Sequence, residues 1–385
     1  MKKTFMGYPR ENGTYGVRNM VAILSTADNS NFIARRVADL VKGTVPLCPC
    51  FGRGEIGEDM DLHIKTMAGL GRNPNVHSVV IVSLEAVIAK KIAALIEEEK
   101  KPVFIYTMDE CGGSMGCTEQ AWRKARELVI EASCVKREEA PIDRLMLGVE
   151  CGGSDTTSGV VSNPALGILA DRLVEEGGTV ILSETTEWMG AEEMLSKRAV
   201  TPKIGEGIFQ AVQWYEGYIK SIGVDLNGFN PAPDNIKGGL STIEEKALGS
   251  VKKGGSSPIR ELVFCGTTPR EKGLILMDAP TGGVENTTAL AAAGCQLILF
   301  STGKGNPLGN PVAPTVKVTG NYRTVESQPE NIDVDLSDVL KQDRTLSWAA
   351  DVLEEKMIDH AQGKLTTAEA LNDLEIAVTR IGFTV

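Results

Sequence analysis

The sequence predicts an α/β fold of two Rossmann-like parallel-sheet domains followed by a short helical C-terminal tail. Short apolar, β-branched runs such as Val79 to Ser83 recur along the chain, each bounded by polar or Gly-rich loops, and stretches with helical periodicity lie between them. Strand alternating with helix implies a parallel sheet covered on both faces.

In the first domain, residues 1–139, the expected strands are Val21 to Ser25, Val79 to Ser83 and Val103 to Tyr106, with helices over Asn31 to Val41 and Ala86 to Glu99. Apolar spacing of three and four marks those helices. A third helix, Gln120 to Ala132, leads into the charged stretch Lys136 to Pro141, which reads as the domain boundary. In the second domain, residues 140–385, the strands are Leu145 to Val149, Thr179 to Ser183, Gly273 to Met277 and Gln296 to Ser301. Helices are expected over Pro164 to Glu175, Gly190 to Leu195 and Gly205 to Ser221. The Pro- and Gly-containing run from Gly223 to Leu240 reads as a long irregular loop over a site. From about Leu346 the chain is helical and charged, the expected tail.

Composition narrows the function. The 385 residues are 42% hydrophobic and 24% charged, the balance of a globular protein. No apolar run approaches the ~18 residues of a spanning helix, and no hydrophobic region follows Lys2 and Lys3, so neither a membrane anchor nor a signal peptide is expected. The expected location is the cytoplasm, where the eight cysteines stay as core thiols or ligands rather than disulfides. A formal net charge of −11 argues against nucleic acid and anionic membranes as partners. An anionic substrate therefore requires local positive charge.

Two loops carry the chemistry. Glu150 to Gly159 follows the strand at Leu145, and Ser183 to Glu187 follows the strand at Thr179. Both leave the carboxyl ends of neighbouring parallel strands, where open α/β sheets place their ligands. An active-site cleft follows as the expectation.

The motifs Gly7 to Asn19, Cys151 to Asp155, Ser183 to Glu187, Gly238 to Gly249 and Ser301 to Asn306 together resemble the altronate/galactarate dehydratase family, in order, from Gly7 to about Leu340. Asp155 to Ser158, Ser241 to Gly249 and Gly305 to Pro311 resemble the sulfolactate-cleaving branch more than the sugar-acid branch. The resemblance implies a lyase that needs a divalent metal, usually iron. It removes the proton α to a carboxylate and expels the β group, sulfite from sulfolactate or water from altronate or galactarate, leaving a 2-keto acid. It also implies that the small domain preceding this region in the sugar-acid enzymes is here a separate small subunit, within a homo- or hetero-oligomer. A non-catalytic protein that binds a small anion on the same fold is the alternative.

Site roles follow from residue type within that resemblance. Glu184 and Glu187, paired carboxylates after a strand, are candidates for acid–base work, with Asp155 and His63 beside them; a helix start with acids favoured by its dipole is the alternative for the pair. Cys151, Asp155 and Glu184 are the expected metal ligands. Arg18 and Asn19, Ser154, Thr156 and Thr157, and Lys304 and Asn306 are the expected substrate-binding groups. Arg18 offers a planar fork for a carboxylate or sulfonate, or else pairs with a nearby acid. The Ser154 to Thr157 run offers hydroxyls and N–H groups ahead of a helix, which suits an anion and equally suits a helix cap. His63 enters through its neighbouring loop, Cys50 to Glu55, which resembles a functional segment of the family. His77 reads as structural and His360 as solvent-exposed. Cys48, Cys50, Cys111, Cys117 and Cys151 lack tight C-x-x-C spacing, so an iron–sulfur cluster ranks below a mononuclear ion.

Overall fold

The computed structural model describes residues 1–226 and 229–385. The chain opens with β1 (Thr4–Pro9) and β2 (Tyr15–Gly16), then lays down β3 (Met20–Ser25), β4 (Thr44–Leu47), β5 (Val76–Ser83) and β6 (Val103–Thr107) as a parallel sheet in the order β4-β3-β5-β6. The charged segment expected to mark the domain boundary contains β7 (Glu138–Pro141), which pairs antiparallel with β1. Its one buried residue, Ala140, sits in a strand otherwise exposed, so the run lacks the apolar signal of a buried strand.

The second sheet is wholly parallel and has seven strands: β8 (Met146–Cys151), β9 (Thr179–Leu182), β10 (Ile259–Phe264), β11 (Gly273–Asp278), β12 (Leu297–Ser301), β13 (Thr315–Thr319) and β14 (Val334–Asp335), in the order β10-β11-β9-β8-β12-β13-β14. The chain moves from β8 to β9 on one side and later returns to β12 on the other. The carboxyl ends of β8, β9 and β12 therefore surround a topological switch point, the crevice where such sheets bind ligands.

Alternation along the strands sorts the core into layers. Val21 and Ile23 face outward against the helices Asn31–Leu40 and Ser114–Cys134, while Ala22 and Leu24 face inward. The inward layer holds the helices Glu58–Arg72, Ala86–Glu97 and Gly283–Ala293, together with Ile181, Ile275 and Ile298 of the second sheet. Leu147, Val149, Val180 and Leu182 point the other way, onto the helices Asn163–Glu175 and Leu346–Ala361. The two sheets thus share a middle helical layer. Gly69 makes that layer tight, because a Cβ there would stand 2.5 Å from the Ala292 carbonyl oxygen.

Buried amides stitch the layers together. Asn73 Nδ2 donates to the carbonyls of Ala291 and Cys295 at 2.7 and 2.9 Å. Asn75 Nδ2 donates to those of Gln296 and Val312 at 2.8 and 2.9 Å, and its Oδ1 accepts the Val17 N–H at 2.7 Å.

The tail is helical only in part. Leu346–Ala361 and Thr367–Leu371 are helices, but Asn372 turns left-handed at φ 60° and ends the second. Beyond it Ile376 is buried in the middle layer, and the Ile381 and Gly382 N–H groups bind the Asp59 carboxylate at 2.8 and 2.7 Å. His360 is buried rather than solvent-exposed, since its helix packs its apolar face into the core of the second sheet. Within the run from Gly223 to Leu240 a short helix, Pro233–Lys237, lies over the Ser154 loop; Asn227 and Gly228 lie outside the described residues.

Candidate metal and substrate site

Cys151 ends β8, and Glu184 and Glu187 lie in the turn after β9, so two adjacent strands deliver the three side chains to one point. Their ligand atoms lie within 4.8 Å of one another, and all three are buried. The Cys151 N–H donates to Glu184 Oε2 at 3.2 Å, and the thiol to Glu187 Oε2 at 3.1 Å. Glu184 adopts a left-handed backbone, φ 70° and ψ 73°. A residue with a Cβ is disfavoured there by about 1–2 kcal/mol, strain held in place by the surrounding bonds.

Two lysines balance the charge. Lys253 Nζ lies 2.7 Å from Glu184 Oε2, 2.7 Å from Glu187 Oε2 and 3.1 Å from Cys151 Sγ, with no exposure to solvent. Lys246 Nζ stands 3.4 Å from Glu187 Oε1 and donates to Asn230 Oδ1 at 2.9 Å. Ser250 Oγ bonds the thiol at 2.9 Å and also donates to Glu187. Behind these groups the buried Glu150 carboxyl accepts from Asn286 Nδ2, which also donates to Ser183 Oγ at 2.8 Å.

This setting drives the two glutamates apart. Burial, reinforced by the charge of Glu187, pushes the Glu184 carboxyl up to about 8. Burial would raise Glu187 as well, but the charges of Lys253 and Lys246 outweigh it and hold that carboxyl below its ordinary value. Burial also raises the Cys151 thiol. Two carboxyls shifted in opposite directions in one pocket are suited to divided acid–base roles.

The three donors fit a divalent cation. One thiol and two carboxylates suit borderline metals such as Fe(II) or Zn(II). Glu184 Oε1 and Glu187 Oε1 are buried without a hydrogen-bond donor, and an ammonium group already stands among the three ligand atoms as a cation would. Among the described residues this is the one group of three metal-ligating side chains.

Asp155 stands apart from that group. Its Oδ1 accepts from Thr157 Oγ1 at 2.6 Å and the Ser158 N–H at 3.1 Å, and its Oδ2 accepts from Asn321 Nδ2 at 2.7 Å. The set brought together is therefore Cys151, Glu184 and Glu187, with Glu187 where the sequence suggested Asp155. Gly303 packs so closely on Asp155 that a Cβ would lie 2.1 Å from its carboxyl carbon. The aspartate thus orders the mouth of the site, and a cleft lies on each side of it. One, about 170 Å³, is lined by Ser154, Thr156, Asn163, Lys246 and Ser250 and reaches the buried cluster; Ser154 Oγ is buried there without a partner. The other, about 430 Å³, carries Thr157, Lys237, Lys304 and Arg323. Thr156 Oγ1 donates to the Gly238 carbonyl at 3.1 Å, and Asn306 Oδ1 accepts the Leu308 N–H at 2.9 Å.

Other sequence candidates lie elsewhere. Arg18 is buried and doubly bonded to Glu369, Nε to Oε1 at 2.7 Å and Nη2 to Oε2 at 2.8 Å, with further bonds to the carbonyls of His360 and Lys364. It ties the tail to the first sheet. Asn19 accepts from Arg10 and donates to the Ala132 carbonyl. His63 is buried beside the first sheet, its Nε2 2.9 Å from the Thr26 carbonyl and its Nδ1 3.4 Å from Glu55, and burial lowers its pKa. Cys48 and Cys117 pack in the outer core of the first sheet, away from Cys151. Lys253 went unread in the sequence because Lys252-Lys253-Gly looks like a surface basic run. The available signal was its spacing of three from Ser250, which puts both on one side of a helical turn.

The Arg18–Glu369 pair predicts a pH effect. Burial alone would raise the Glu369 carboxyl, but hydrogen bonds and charge from Arg18 hold it lower. A depressed folded pKa stabilises above the ordinary carboxyl value of about 4.3, and that stability is lost as pH falls through the folded value. Glu369→Gln should therefore unfold about 1–3 kcal/mol more easily than wild type at pH 7. The gap should narrow below about pH 4, read by urea unfolding at both pH values.

Two large parallel sheets with a buried cluster of carboxyls and a thiol able to hold a metal at a switch point suit an enzyme rather than a scaffold, and the comparisons name the class. Residues 142–384 match the family model for D-galactarate/altronate dehydratase, C-terminal, and residues 7–133 match D-galactarate dehydratase/altronate hydrolase, second domain. The chain belongs to the D-galactarate/altronate dehydratase family. The (2R)-sulfolactate sulfo-lyase subunit beta of Chromohalobacter salexigens is 39% identical over 384 residues, 98% of each chain. The altronate dehydratase of Bacillus subtilis is 33% identical over 396 residues, 99% of this chain and 78% of that enzyme. The galactarate dehydratase (L-threo-forming) of Escherichia coli is 35% identical over 232 residues, 60% of this chain and 44% of that enzyme. By these relatives the chain is an enzyme of the lyase class. No helix among the described residues is long and apolar enough to cross a membrane.

Proposed function

We propose that the chain is the catalytic subunit of a metal-dependent lyase that converts (2R)-sulfolactate to pyruvate and sulfite, working with a separate small subunit. The observation that carries this reading is the buried Cys151, Glu184 and Glu187 set at the switch point, with Lys246 in the smaller cleft and Lys237, Lys304 and Arg323 in the larger one on an otherwise acidic chain. The full-length similarity to a protein named as subunit beta of a sulfolactate sulfo-lyase supports both the substrate and the partner.

Cys151, Glu184 and Glu187 would hold the divalent ion, Fe(II) in this reading. When bound, the ion supplies positive charge against the negative charge that builds as the α proton leaves, an effect of several kcal/mol. Lys246 and Ser154 receive the substrate carboxylate in the smaller cleft, and Lys304 with Lys237 and Arg323 attracts the sulfonate end from the larger one. Glu184 takes the α proton on Oε1, the oxygen left without a donor. The electron pair of that C–H bond forms the C2–C3 double bond while the C3–S bond breaks, and sulfite leaves with its electron pair. The enol then takes a proton on C3 and loses its hydroxyl proton, which leaves pyruvate.

Lys246→Met should lower kcat/KM about 10- to 100-fold, chiefly through KM, because it removes a charge-assisted contact made in ground and transition state alike. Steady-state kinetics on sulfolactate checks this. The reading itself is tested by an anaerobic, reducing assay with Fe(II), with and without the small subunit, on sulfolactate, altronate and galactarate. Equal release of sulfite and pyruvate from sulfolactate is expected; a keto-deoxy sugar acid from altronate or galactarate alone would reassign the substrate.

A further inference from the structure

Lys253 occupies the place of a cation. Its Nζ is bonded at once to Glu184 Oε2, Glu187 Oε2 and Cys151 Sγ, at 2.7, 2.7 and 3.1 Å. Those are hydrogen-bond lengths, whereas a divalent ion on such atoms stands at roughly 2.0–2.3 Å. Nζ therefore already stands among donor groups that a divalent ion would take, their ligand atoms all within 4.8 Å of one another. A metal ion and an ammonium group in that space would overlap and repel.

We propose that Lys253 is the resident counter-ion of the metal-free site and is displaced when a divalent ion binds, so that the protein carries its own placeholder for the metal. This rests on the assignment of Cys151, Glu184 and Glu187 as the metal ligands. The placeholder has a physical purpose. Negative charge on this buried group of two carboxyls and a thiol cannot be left uncompensated without a large penalty, and an internal ammonium group keeps the empty site folded. Lys253 lies in a single short turn, Val251–Gly254, that ends at Gly255 with φ 67°, so its side chain is carried by a connector rather than by a long helix. Glu150, the residue before Cys151, keeps Oε1 buried without a donor and offers the displaced ammonium a new partner. Lys246, at 3.4 Å from the other oxygen of Glu187, stays in place.

The test uses the full chain, wild type and Lys253→Met, stripped with chelator and titrated with Mn(II) by calorimetry, with bound metal counted by mass spectrometry. One ion per chain is expected in both, with a dissociation constant at least tenfold lower in K253M. Metal-free K253M should melt below metal-free wild type, and saturating Mn(II) should close that gap. If wild type binds one ion and K253M binds it no more tightly, displacement is wrong while the metal assignment stands; if neither binds Mn(II), both fall. A crystal of wild type soaked in Mn(II) gives the same answer should K253M not fold. The anomalous peak is expected beside Cys151, Glu184 and Glu187 with Nζ withdrawn from both carboxylates, and a peak there with Nζ still bonded to both overturns the proposal.

Discussion

Glu187→Gln is expected to lower kcat by about 10³-fold or more, near 4 kcal/mol of barrier, and to leave the protein with less than about a tenth of its bound metal. Glu187 is the hub of the buried cluster, touching Cys151, Ser250, Lys253 and Lys246. Burial would raise its carboxyl, but the charges of Lys253 and Lys246 outweigh that and hold it below its ordinary value. The amide keeps the shape and loses the charge. Metal content and kcat, measured on protein whose melting curve is still cooperative, check the prediction. Full metal occupancy with normal turnover would remove Glu187 from the site.

Asn75→Leu should produce the largest loss of stability, about 3–5 kcal/mol from several buried polar groups stripped of partners at about 1–3 kcal/mol each. Its side chain satisfies the carbonyls of Gln296 and Val312, ahead of β12 and β13, and the N–H of Val17, ahead of β3, so it joins the segments that lead into both sheets. Leucine fits the volume and answers none of them. A fall in Tm of roughly 5–10 °C is expected, read by calorimetry. A change of less than a degree would mean that the two sheets are held without this bridge.

Strands whose sequence is apolar throughout were legible, and strands with another character were not. β3, β5, β8, β9, β11 and β12 announce themselves as Val-, Ile- and Leu-rich runs. β4 hides behind Pro46, and β10 is an edge strand whose Arg260 and Glu261 interrupt the apolar signal. β13 reads Thr-Val-Lys-Val-Thr yet is fully buried, because the Lys317 ammonium finds the Leu308 carbonyl inside the protein. The same physics limits reading of the site. Cys151, Glu184 and Glu187 stand at strand ends, and that placement together with the family resemblance made them visible. Lys253 contributes through a position in space that no local pattern marks, and Arg18 is drawn to Glu369, 351 residues away.

The most direct test is X-ray absorption at the metal edge of chain loaded with Zn(II) as a probe. The account predicts one sulfur scatterer at about 2.3 Å with oxygen scatterers at about 2.0–2.2 Å, the sulfur shell vanishing in Cys151→Ser. A first shell of nitrogen and oxygen only, unchanged by that substitution, would place the metal elsewhere and contradict the account.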